Sequence, residues 1–188
     1  HQARGLLIFL AYAYFTALIF NVGSTWWIWN STAGGALMAF ICNSLLMAGA
    51  LTIGFGVFKR LNTGLFLIGL GITWITFEFV HLNWELSWPW LTMGNYFSIH
   101  PSWVQWYEYT GSLGGSFWVI AANILGVLLL LNLKSKQYAI AFISILSIPL
   151  FISFIVSKKA DITKYTTQSV VILQPNIDPY TEKFNIDP

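Results

Sequence analysis

Apolar residues in this chain come in runs of about 16 to 25, separated by short polar breaks. That spacing predicts helices of bilayer-spanning length and not the three-to-four-residue alternation of a surface helix on a soluble core. The runs lie at about 5–20, 34–58, 64–82, 115–133 and 138–156, so the expected fold class is an all-α polytopic membrane bundle of about five transmembrane helices. Between the first two runs a turn at 21–32 carries Trp26, Trp27 and Trp29, a tryptophan density that marks a bilayer interface.

Composition agrees with the pattern: hydrophobic residues make up 56% of the 188 and charged residues 9%. A soluble domain carries about 25% charged residues. The net charge of +2 is small and scattered, which excludes the basic stripe that nucleic-acid binding needs. The single cysteine, Cys42, lies inside the second run and reads as a small buried packing residue. A chain that starts at His1 and stops at Pro188, just after a new pattern begins, reads as a piece cut from a longer protein.

Positive charges set the expected orientation. Arg4, the pair Lys59 and Arg60, and the pair Lys134 and Lys136 share one side if five spans alternate, and that side is cytoplasmic by the positive-inside rule. The tryptophan-rich turn, the long loop at 83–114 and the tail after 157 then face outward. Lys158, Lys159 and Lys164 break the rule there, as residues heading a long translocated domain do without effect on topology. The expected organisation is a transmembrane domain at 1–157, a linker at 158–168, and the start of a soluble domain at 169–188. In that last part Ser169–Leu173, SVVIL, reads as a first buried strand stopped by Gln174, Pro175 and Asn176.

Chemistry is sought in 77–115, where carboxylates, histidines and tryptophans meet. Glu78 falls about 20 Å along the third helix from Gly64. An ionisable residue in a span is costly and usually faces a cavity or a partner, so Glu78 is the first candidate, against the plainer reading of a carboxylate that only fixes packing. If the helix continues, His81 and Glu85 share its face. A metal site is not expected, since no HExxH-type spacing is present. Trp88, Pro89, Trp90, Trp103, Trp106 and Tyr107 are read either as the lining of an acyl-chain groove or as interfacial anchors. Gly111, Gly114 and Gly115 suit a tight turn and close helix approach.

The run from Trp74 through Glu78 to Trp88-Pro89-Trp90-Leu91 and Gly94, followed by Gln105, Gly111 and Asn123, resembles the membrane part of apolipoprotein N-acyltransferases. The tail VVILQPNIDPYTEKF resembles the first strand of that family's nitrilase-like, carbon-nitrogen hydrolase domain, an α/β fold. Leu86-Ser87-Trp88-Pro89-Trp90 stands where many members have Gly-Phe-Pro-Trp, and Lys183-Phe184 where Lys-Trp is common. The resemblance implies a bacterial inner-membrane enzyme that moves an acyl chain from a phospholipid to the N-terminal diacylglyceryl cysteine of a lipoprotein, through a thioester and without a cofactor. It implies a catalytic Glu/Lys/Cys set after Pro188, so no catalytic residue is assigned here and the fragment alone is expected to be inactive. Its substrate-binding candidates are Glu78, His81, Trp88, Pro89, Trp90 and Gln105. Its implied partners are the phospholipid donor, the lipoprotein acceptor and the bilayer. The competing readings are a transporter or channel subunit with a Glu78/His81 relay and a plain membrane anchor.

Overall fold

The computed structural model of the chain describes residues 2–159 and 169–174. Five long helices follow one another: α1 (Gln2–Thr25), α2 (Ala33–Phe58), α3 (Thr63–Leu82), α4 (Tyr107–Leu131) and α5 (Lys136–Lys159). All five are long and apolar enough to cross a membrane. Each packs on its neighbour in the chain, α1 on α2, α2 on α3, α3 on α4 and α4 on α5. The expected all-α polytopic bundle is therefore the fold.

Local chemistry sets the helix ends. Thr32 opens α2 by accepting the Gly35 N–H at 3.4 Å, and Asn62 opens α3 by accepting the Leu65 N–H at 3.0 Å. Where helices meet, small residues let the backbones approach: Ala13 and Ala17 of α1, Ala36, Ser44 and Ala48 of α2, and Gly69 and Gly71 of α3 are buried. Large side chains such as Leu7, Phe15, Ile41, Ile53 and Ile143 stay exposed on the outside of the bundle. Such a surface suits hydrocarbon and would be unstable in water.

Pro149 lies inside α5 and has no N–H to give the carbonyl of Ile145 one turn earlier. The Trp118 indole of α4 donates to that carbonyl at 2.5 Å, so the bond lost to proline is restored between helices. Trp118→Phe is expected to destabilise the bundle by about 1 to 3 kcal/mol, the cost of orphaning a buried acceptor. In a Pro149→Ala background, where α5 can bond the carbonyl itself, the same substitution is expected to cost clearly less. Thermal midpoints of the four proteins in detergent check this; equal losses in both backgrounds would break the pairing argument.

Several expectations shift. The first helix continues past Phe20 to Thr25, and the tryptophan-rich segment then tightens into a 3₁₀ turn at Trp26–Asn30. α4 begins at Tyr107, earlier than 115, with a break at Gly111 whose φ of 66° is the left-handed region open to glycine. The helix does not carry on to Glu85: α3 stops at Leu82, Asn83 closes it, and Glu85 is an exposed turn residue that does not line the Glu78 cavity. Cys42 is exposed on α2 and not buried, because the buried line of that helix runs through Phe40, Asn43, Ser44 and Met47. Residues 169–174 form no regular element, and Val170, Val171, Ile172 and Leu173 are 76% to 89% exposed. A β-branched run needs partner strands for its backbone groups, and none is present among the described residues. Residues 160–168 and 175–188, which hold most of the expected linker and the remaining domain start, lie outside the described residues.

Candidate functional site

The segment between α3 and α4 sits at the bundle end opposite the Lys59/Arg60 and Lys134/Lys136 turns, and it is built from three short 3₁₀ turns, Pro89–Leu91, Met93–Phe97 and Pro101–Trp103. Two of them start at a proline, whose fixed φ suits a first helical position where no N–H is needed. Buried side chains from the helices tie these turns down.

Glu78 is the main tie. It is 4% exposed, and its Oε1 accepts the Trp74 indole N–H at 2.9 Å and the Met93 backbone N–H at 3.0 Å. One carboxylate oxygen thus fixes a side chain one turn back on α3 and the start of the central 3₁₀ turn. Gly94, the next residue, donates its N–H to Ser116 Oγ at 3.0 Å, and its carbonyl accepts the Tyr107 hydroxyl at 2.9 Å. A Cβ at Gly94 would fall on the Ser112 carbonyl, and one at Gly115 on the Tyr107 hydroxyl. Glycine at both places lets the turn lie flat on α4. Further on, the buried Ser153 of α5 donates to the Trp103 carbonyl at 2.7 Å and accepts the Gln105 N–H at 3.0 Å.

The structure brings together only some of the six candidate residues. Glu78, His81 and Trp88 line one small cavity with Asn43 of α2. His81 is 7% exposed, stacked on Phe77 at 5.0 Å between ring centroids and tilted against Trp84 at 5.4 Å. Pro89 contributes its carbonyl to the Thr92 N–H and the Asn95 amide, a turn-closing role. Trp90 is 62% exposed and meets Trp27 edge to face, joining the two tryptophan-rich segments at the surface. Gln105 holds Ser153 through its backbone and the Pro101 carbonyl through its side chain, so it fastens the loop to α5 and does not border the Glu78 cavity.

Sequence reasoning missed Asn21 and Asn43. Both are buried, and the Asn43 amide donates to Asn21 Oδ1 at 2.6 Å across α1 and α2. The signal was available: an amide in or beside an apolar run seeks a partner on another helix. Glu78, the loop glycine and the two asparagines belong to one polar layer capping an apolar interior.

Below that layer lies an apolar cavity of about 400 Å³ between α1, α2, α3 and α4. Ala17, Phe20, Met47, Trp74, Ile120 and Val127 form much of its wall, and Met93 and Tyr96 of the loop cover its end. Burial, and then the charge of Glu78, pushes the Tyr96 hydroxyl above its ordinary range, so it is a neutral phenol at physiological pH. Asn123, its amide turned back to the Val119 carbonyl at 2.8 Å, also borders this space. Among the described residues no cluster of three or more His, Cys, Asp or Glu stands ready to hold a metal ion.

Comparison with known proteins places this arrangement. The sequence model for the apolipoprotein N-acyltransferase N-terminal domain matches residues 3–125, which take in α1, α2, α3, the whole loop and most of α4. The apolipoprotein N-acyltransferase of Chlorobaculum tepidum is 25% identical over 185 residues, covering 96% of this chain and 35% of that protein. The chain thus spans about a third of that relative's length. No solved structure matches. Neither match supports the transporter or channel reading. Since the matched stretch contains every one of the residues that dock the loop on α3 and cover the apolar cavity from above, the chain belongs to the apolipoprotein N-acyltransferase N-terminal domain family.

Proposed function

We propose that this chain is the membrane part of a bacterial inner-membrane enzyme that transfers an acyl chain from a phospholipid to the α-amino group of a lipoprotein's diacylglyceryl cysteine. In the first step a cysteine thiolate attacks the phospholipid ester; a thioester forms and the lysophospholipid leaves with a proton. In the second the lipoprotein amine attacks the thioester, an amide forms, and the thiolate is released. A glutamate serves as base and a lysine faces the developing oxyanion. These three groups are assigned to a nitrilase-like domain that follows the helices and is headed by the apolar run Ser169–Leu173, which gains its partner strands there. The described part supplies none of the bond-making groups.

Its task in this reading is to receive acyl chains from the outer leaflet and present them on the periplasmic side. The observation that carries the reading is the 400 Å³ apolar cavity ending beneath Met93 and Tyr96. Such a space offers an acyl chain dispersion contacts without a polar partner to lose, and the docked loop above it gives the ester end a polar surface. Glu78 and the Gly94 contacts then hold the cover of a lipid slot in place.

The test is mass spectrometry of lipoprotein N-terminal peptides from cells depleted of the full-length parent. Loss of the N-linked acyl chain with the diacylglyceryl group retained supports the reading; full acylation with no second enzyme present removes it. The slot has its own check. Thr16 borders the cavity from an exposed position on α1, so Thr16→Phe fills space without crowding a buried site. The variant is expected to accumulate normally in the membrane and to lower N-acylation about tenfold, the effect of roughly 1.4 kcal/mol of lost acyl-chain binding. Wild-type acylation would place the acyl chain elsewhere.

A further inference from the structure

The small cavity beside Glu78 has a volume of about 20 Å³ and is bordered by Asn43 of α2, Glu78 and His81 of α3, and Trp88 of the loop. Five buried polar atoms on these four residues have no hydrogen-bond partner among the described protein groups: Asn43 Oδ1, Glu78 Oε2, His81 Nδ1, His81 Nε2 and Trp88 Nε1. Asn43, Glu78 and His81 are 6%, 4% and 7% exposed, so bulk solvent does not satisfy them. Leaving that many polar atoms orphaned in one place is far outside what folded proteins tolerate.

We propose that this cavity is a binding site for one structural water molecule bridging Glu78, Asn43, His81 and Trp88. Size fits, because a cavity of about 10 to 15 Å³ or more holds one water. Donor and acceptor inventory fits as well. The site offers two acceptors in Glu78 Oε2 and Asn43 Oδ1, a donor in the Trp88 indole N–H, and the His81 ring, whose two nitrogens supply an N–H and a lone pair in the neutral form and of which the N–H is assigned to the water. A water has two O–H groups for the acceptors and two lone pairs for the donors. A metal cation or an ammonium ion would face the Trp88 indole N–H, which can only donate, and an anion would face the Glu78 carboxylate. Water, with both donors and acceptors and a size that fits the cavity, answers both halves of the site.

The water links three parts of the fold that no direct side-chain bond joins at this point: α2 through Asn43, α3 through Glu78 and His81, and the first part of the loop through Trp88. Glu78 thereby holds the loop twice, with Oε1 on the Met93 N–H and with Oε2 through the water on Trp88. The inference follows from the cavity and its polar atoms and does not depend on the acyl-transfer reading.

The test uses the full-length parent in lipid bilayers with its tryptophans labelled with nitrogen-15, and reads transfer of magnetisation from water to indole N–H groups by solid-state NMR. Trp88→Phe identifies the Trp88 signal. The expected result is a direct water cross peak on Trp88, unchanged when sodium is exchanged for potassium or chloride for sulfate, and lost in Asn43→Leu or His81→Phe. A Trp88 N–H without a water cross peak, or one whose frequency moves with the identity of the salt, would overturn the proposal. Where a variant fails to fold, a high-resolution structure of the wild-type parent decides alone: a density peak within about 3 Å of Glu78 Oε2 and Trp88 Nε1 supports the water. Direct contact between those two atoms rejects it.

Discussion

Glu78→Ala is expected to lower the thermal midpoint of the full-length protein and to free the loop between α3 and α4. The alanine removes the acceptor of two donors, the buried Trp74 indole and the part-buried Met93 N–H. At about 1 to 3 kcal/mol for each orphaned group, the loss comes to about 2 to 6 kcal/mol. A lower midpoint than wild type follows, by an amount that shrinks as the unfolding entropy grows with chain length. Glu78→Gln separates the two roles of the side chain. Its amide oxygen can take the place of Oε1 and keep both bonds, so the variant is expected to be clearly more stable than Glu78→Ala. The amide has no charge, however, and use of the lipid substrate is expected to fall while expression stays normal. Thermal midpoints and lipoprotein peptide mass spectra on the same preparations make the comparison. A glutamine variant with full activity would leave Glu78 with packing alone.

Gly94→Ala should be as damaging although it adds only one methyl group. The added Cβ meets the Ser112 carbonyl, a piece of backbone at the Gly111 break of α4 that has no rotamer to escape into. The turn must lift, and the Met93 N–H, the Gly94 N–H and the Gly94 carbonyl lose Glu78, Ser116 and Tyr107 together. A loss of about 3 kcal/mol or more is expected, in the range reserved for strain and broken buried networks. Protease access to residues 83–106 and lipoprotein N-acylation are the measurements. Gly23→Ala serves as control, because a Cβ there meets nothing within 4 Å and alanine favours the helix. If the two variants cut and acylate alike, the Gly94 contacts do not hold the loop.

Both effects concern a loop whose importance was readable and whose construction was not. The sequence placed Glu78 near the end of a span and marked it by cost, since a carboxylate in an apolar run needs a partner. It could not show that the partner is a backbone N–H fifteen residues on, at Met93, because nothing in the side chain of methionine reports what its amide does. His81 was placed beside Glu78 by helical spacing and lies there. Glu85 would share that face only if the helix continued, and the helix ends first, at Leu82 with Asn83 as its cap. Trp88, Pro89, Trp90 and Gln105 entered as one group, and the fold divides them: Trp88 reaches the polar cavity, Trp90 meets Trp27 at the surface, and Gln105 is drawn to Ser153. Five spans and their order followed from periodicity, and the Lys59/Arg60 and Lys134/Lys136 turns share one end of the bundle, as the alternation of spans requires. The family followed from motif resemblance, which the match over residues 3–125 bears out.

The sequence by itself therefore determined the solvent of this protein and its layout. Runs of apolar residues long enough to cross a bilayer have no stable alternative to spanning helices, because each backbone group must find its partner within the segment. Only the tertiary structure decided the apolar cavity, the clasp on Gly94, the pairing of Asn43 with Asn21 and the repair of Pro149 by Trp118. Each of these joins residues from different helices or from a loop and a helix. Local pattern is blind to such pairs: helix periodicity records which face a residue occupies, whereas a hydrogen bond across two elements depends on how those faces meet in space.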